Sequence, residues 1–184
     1  MATACTRSFS LGDITSLVIA VLALLFTVGS FWWLNARAGR LTLATPRTYA
    51  YAGPSGTLRL RFPLTFYNTG AKDLIVEDLR VTSDDFPADL RWITTRTSIK
   101  PQTDDGHEFA KPFAVRGRST TEVIAEFGDD SWEWRPQPGF EHRVTIQGRL
   151  AQSADWKEIA SFSWWAPVKN PDVYITHRNE PMVE

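Results

Sequence analysis

At 184 residues the chain has room for one ordinary domain, and its net charge of −1 gives no global field that would favour nucleic acid. A single cysteine, Cys5, stands near the N-terminus, which excludes a cystine-stapled scaffold. With about forty leading residues set aside, the remainder is long enough to bury a core without disulfides or metal.

Residues 1–13 form a short N-terminal tail. Ile14–Leu34 then reads ITSLVIAVLALLFTVGSFWWL, without charge or proline. At about 1.5 Å per residue this stretch spans roughly 31 Å, the thickness of a bilayer's hydrocarbon core. Asp13 closes one end, and Asn35, Arg37 and Arg40 close the other, with Trp32 and Trp33 where an interfacial aromatic belt belongs. The expectation is one transmembrane helix at 14–34 that holds the chain in a lipid bilayer. A cleaved signal peptide competes with it, because Ala36-Arg37-Ala38 has the A-x-A form. The length of the apolar run, the lone basic Arg7 ahead of it and the paired tryptophans weigh against cleavage.

Arg37, Arg40 and Arg47 follow the helix while only Arg7 precedes it, so the positive-inside rule favours a cytoplasmic soluble domain over an extracytoplasmic one. Ser16, Ala20, Ala23, Thr27 and Ser30 recur at alternating spacings of four and three, forming one stripe of small residues. Such a stripe suits close packing against another membrane helix, a second copy included. Small residues are also common in membrane spans for no such reason.

Residues 35–54 read as a juxtamembrane segment with a possible first strand at Arg40–Ala44. The hydrophobic period then changes to two. In Leu58–Tyr67, Leu58, Leu60, Phe62, Leu64 and Phe66 alternate with Arg59, Arg61, Pro63, Thr65 and Tyr67, as in a half-buried strand. Pro63 has no N–H, which predicts an edge position or a bulge. Further strands are expected at Leu74–Thr82, Leu90–Arg96, Lys111–Val115, Thr120–Phe127, Arg143–Leu150 and Lys157–Trp164. Asn68-Thr69-Gly70 and Arg116-Gly117-Arg118 supply tight connections. From Ala166 to Glu184 three prolines and scattered charges predict an irregular tail.

The fold class expected is all-β: a two-sheet antiparallel sandwich of seven to eight strands over residues 55–165, preceded by one helix. The stretch LTFYNTGAKDLIVEDLRV, residues 64–81, resembles a hairpin of bacterial immunoglobulin-like and fibronectin-type-III-like sandwiches, and the Pro-Gly before HRVTIQGRL is similar to their closing strands. The resemblance implies an immunoglobulin-like fold and a bias toward binding or assembly, and it carries over no functional residues.

Chemistry is sparse. No G-x-S-x-G, H-E-x-x-H, C-x-x-C, Walker A or G-x-G-x-x-G pattern occurs, and His107, His142 and His177 are far apart in sequence. No cofactor or resident metal is expected. The pairs Asp84-Asp85, Asp104-Asp105 and Asp129-Asp130 raise calcium as an option but lack the spacing of a calcium loop. In the loop GDDSWEWRPQPGF, Trp132, Trp134 and Arg135 are residue types that dominate binding interfaces; the bland reading is that the tryptophans cap the core. Trp164 is expected inward and Trp165 outward. The composite expectation is a non-enzymatic binding or scaffolding domain in a protein assembly at the membrane. The alternatives are an accessory subunit that positions a catalytic partner, and an ion or small-ligand sensor at the Asp-rich end.

Overall fold

The structure is a computed structural model that describes residues 11–52, 58–100, 105–129, 136–151, 153–167 and 174–181. The chain divides into two compact units, Met1–Ala38 and Gly39–Glu184. In the first, α1 (Leu11–Phe31) begins three residues ahead of the expected span and has no buried residue. It ends in a π-helical turn, Trp32–Ala36, in which the Arg37 N–H donates to the Trp32 carbonyl at 3.0 Å. That turn takes one residue more per hydrogen bond than the α-helix before it.

The second unit is built of strands. Among the described residues these are β1 (Leu41–Ala44), β2 (Thr48–Ala52), β3 (Leu58–Asn68), β4 (Leu74–Thr82), β5 (Leu90–Arg96), β6 (His107–Phe109), β7 (Phe113–Val115), β8 (Thr120–Asp129), β9 (Glu141–Leu150), β10 (Trp156–Trp165) and β11 (Ile175–Arg178). The long period-two segments become strands within a residue or two of their expected limits. β2, β6 and β11 were not foreseen, and β11 lies in the stretch expected to be an irregular tail.

All eleven strands join one hydrogen-bonded sheet in the order β10-β9-β4-β5-β8-β3-β2-β11, curled into a half-barrel, where two separate sheets are expected from the sequence. β1 pairs with the end of β3, β6 with β5, and β7 with β4. The join is the β4–β5 hairpin. Arg80 faces Arg91 and Val81 faces Leu90 across it, so the two groups of strands share a ladder.

Pro63 corrects another expectation, since β3 is neither an edge nor bulged. It pairs with β8 from Leu58 to Tyr67 without a register shift. On its other side β2 reaches only Arg61 and β1 begins only at Thr65, so Pro63 falls in the gap between them. A missing donor is tolerated where no neighbouring strand asks for it.

The inward faces of these strands meet in one core. Leu58, Leu60, Phe62, Leu64 and Phe66 of β3 are buried against Ala125 and Phe127 of β8, Val144 and Ile146 of β9, and Phe162 and Trp164 of β10. Tyr49 sets its ring edge-on to Trp164 with centroids 5.7 Å apart, and Phe62 does the same to Phe162 at 5.7 Å. Such tilted pairs add to the area they bury.

Candidate functional site

Among the described residues most of the exposed large apolar side chains belong to α1 and the turn that follows it. Leu17, Ile19, Leu22, Leu25, Phe26 and Phe31 all stand more than half exposed, and the helix is long and apolar enough to cross a membrane. A soluble protein keeps such surface small. At its end the Arg37 guanidinium lies 4.0 Å over the Trp33 ring. That pairing gives the ring's amphipathic edge a cationic neighbour at the polar flank. The small-residue stripe, Ser16, Ala20, Ala23, Thr27 and Ser30, is exposed to half-exposed, and the Thr27 hydroxyl already donates to the Ala23 carbonyl at 2.8 Å.

Gly39 and Arg40 open the second unit and are stitched to two turns. The Arg40 N–H donates to Thr69 Oγ1 at 2.9 Å, and the Thr69 N–H returns to the Arg40 carbonyl at 3.1 Å. The Arg118 N–H donates to the Gly70 carbonyl at 2.8 Å, and the Gly117 N–H to Asp73 Oδ1 at 2.9 Å. Asn68, fully buried, anchors this end. Its amide donates to the Lys72 and Val115 carbonyls at 2.8 and 3.1 Å, and its oxygen accepts from the Gly70 N–H at 2.9 Å. Two glycines permit the approach: a Cβ on Gly39 would sit 2.0 Å from Gly70 N, and one on Gly117 2.0 Å from the Ala71 carbonyl oxygen.

A charged cluster lies on the face of β3 and β8 opposite the core. Arg61 is only 3 % exposed although its position in the alternation predicts an open one. Its Nε donates to Glu126 at 2.7 Å and its Nη1 to Asp105 at 2.7 Å, while Arg96 Nε reaches the same Glu126 oxygen at 3.0 Å. The Tyr174 ring covers the guanidinium at 4.2 Å. Burial opposes the Arg61 charge, but Glu126 and then Tyr174 outweigh it, so its pKa lies above the ordinary value. Burial likewise holds the Tyr174 phenol well above its usual range. Two cations face two carboxylates, so the cluster is internally neutral and serves as a clamp more readily than as a reactive centre.

A cleft of about 520 Å³ lies beside the β4–β5 hairpin, lined by Asp78, Arg80, Asp89, Arg91, Trp92 and Trp156. Arg80 and Arg149 bracket the Trp156 ring at 4.4 and 5.7 Å. This aromatic-guanidinium stack escapes sequence reading, because only the pairing of Trp156 with Arg149 across β9 and β10 brings the groups together.

At the opposite end from Asn68, His142 is buried, its Nδ1 2.9 Å from Asp85 Oδ2 and its ring against Phe86 and Trp164. His177 stacks on Tyr49 at 5.4 Å, and burial lowers its pKa. Both histidines are thus packed side chains, and of the three histidines His107 alone is exposed. Among the described residues no group of three or more His, Cys, Asp or Glu could hold a metal ion. Asp105 and Asp85 are already committed to Arg61 and His142. Asp104 and Asp130, and the side chain of Asp129, lie outside the described residues.

Trp132, Trp134 and Arg135 also lie outside the described residues. Trp164 points into the core, and Trp165 is half-buried, its N–H donating to Asn179 Oδ1 at 3.1 Å and its carbonyl accepting from the Tyr49 hydroxyl. No protein-family model matches the chain, and no curated protein matches it.

Proposed function

We propose that this chain is a membrane-tethered, non-enzymatic domain that binds or scaffolds another protein in an assembly at the bilayer. The observation that carries the reading is α1, an apolar helix with no buried residue, flanked by tryptophans and a stacked arginine. Left in water its surface would cost about 25 cal/mol for each Å² of apolar area, and a bilayer removes that cost. Arg37, Arg40 and Arg47 after the helix, against Arg7 before it, favour a cytoplasmic β unit.

An immunoglobulin-like classification is part of the reading. It is supported by the neighbour order β1-β3-β8-β5 and β4-β9-β10, which matches the A-B-E-D and C-F-G groupings of that fold. Trp132, Trp134, Arg135 and Trp165 remain the proposed protein contacts, because Trp and Arg are the residue types that anchor interfaces.

Purification of the full chain in mild detergent tests the reading: a stoichiometric protein partner is expected, and a chain that stays solitary under every mild condition sinks it. For orientation, a cysteine placed at Thr120 in a Cys5→Ser background should resist an impermeant maleimide in intact cells and react after lysis. Labelling without lysis reverses the topology. Should the partner be a second copy, Ala23→Ile on the small-residue stripe weakens self-association in a membrane two-hybrid assay.

A further inference from the structure

We propose that the end of the β unit adjoining the anchor is a seat for anionic lipid headgroups, which rests on the reading of α1 as a membrane helix. Arg40, Lys72, Arg116 and Arg118 are gathered there and exposed, on segments tied together by the Arg40–Thr69, Arg118–Gly70 and Gly117–Asp73 hydrogen bonds. Carboxylates at this end include Asp73, which accepts from Gly117, Asp155 on the β9–β10 turn, and Glu158, which with Lys157 lines a cleft shared with Arg40. Among the described residues no ion pair engages Arg40, Lys72 or Arg116.

Covalent reach fixes the partner. The helical segment ends at Ala36 and Arg40 is four residues on, so an extended chain places Arg40 within about 14 Å of the last helical residue. That upper limit is nearly two Debye lengths at physiological salt, so surface charge is felt at Arg40 where the connecting residues are less than fully extended. At the opposite end the β4–β5 turn carries Asp84, Asp85 and Asp89, of which Asp89 is paired with Arg80 and Asp85 with His142. The net charge is −1, so the cations are concentrated by position and not by composition. An anionic surface attracts the exposed cations of the near end.

The test uses the full chain reconstituted into vesicles of phosphatidylcholine alone or of phosphatidylcholine with phosphatidylserine, read by amide hydrogen exchange. Exchange at residues 69–73 and 116–119 is expected to slow severalfold in the anionic vesicles, while residues 83–89 are unchanged. The slowing should vanish in about 0.5 M salt, where the screening length falls to about 4 Å. Each cation contributes about a fivefold preference for the anionic surface, so Lys72→Glu with Arg116→Glu should abolish the difference. Should that pair lower the melting temperature, Lys72→Gln with Arg116→Gln carries the same comparison without reversed charge. A chain that floats with both kinds of vesicle yet exchanges identically in them overturns the seat and leaves the anchor standing. A chain that floats with neither overturns the anchor, and the seat with it.

Discussion

The two faces of β3 are buried for different reasons. On the inner face Leu58, Leu60, Phe62, Leu64 and Phe66 are each at most 1 % exposed, and every atom there gains by leaving water. On the outer face Arg61 is nearly as deeply buried, yet its charge loses hydration and is tolerated only through Glu126, Asp105 and the Tyr174 ring. The inner face is therefore robust to any apolar replacement of similar volume. The outer one depends on each partner being present.

Phe62→Ala should give the largest loss, about 3–5 kcal/mol, measured by denaturant unfolding of the full chain in detergent. A loss under about 1 kcal/mol would mean that this core collapses around the void. Glu126→Ala should cost about 3 kcal/mol by leaving buried Arg61 and half-buried Arg96 with one carboxylate between them. Arg61→Leu with Glu126→Leu should return stability to within about 1 kcal/mol of the unmodified chain, because Arg96 and Asp105 still lie 3.9 Å apart. If the double variant proves as damaged as the single one, the outer face is held by packing and not by charge balance.

At the end of the same strand, Asn68→Ala removes three hydrogen bonds from a fully buried amide and should cost roughly 2 kcal/mol. Faster exchange at residues 69–73 would localise the damage to the turn.

The smallest effect is on pH dependence. Burial keeps the folded His177 below its ordinary pKa, so the unfolded chain takes up a proton that the folded chain refuses. The stability from its neutral form is present above about 6.5 and declines as pH falls from there toward the folded value. His177→Phe keeps the stack on Tyr49 and should flatten the melting-temperature slope between about pH 7.5 and 5.5. An unaltered slope assigns the pH dependence to another group.

Alternation was enough to find β3, β4, β5, β8, β9 and β10, because each has one apolar and one polar face. β2 was hidden for the opposite reason. In Thr48–Ala52, Tyr49 through Ala52 are all buried, so polarity does not alternate along it. β6 is three exposed residues, and β11 is stabilised by its edge pairing with β2 and by Asn179, whose amide donates to the Pro46 and Ser163 carbonyls at 3.2 and 2.8 Å. None of those partners is near in sequence. The candidate site follows the same rule. The apolar helix and its tryptophans are local and legible, while Arg61 facing Glu126 and Trp156 facing Arg149 exist only through register.

The pairing of β11 with β2 also sets an order in time. Tyr49 faces His177 across that ladder, so the edge of β2 closes only when residues 175–178, more than a hundred positions later, have been synthesised. If α1 enters the bilayer as it leaves the ribosome, β2 waits at the membrane surface with its backbone donors and acceptors open. For that interval the nascent chain is a template for strand exchange with its neighbours, and crowded translation sites are where misassembly should first be seen.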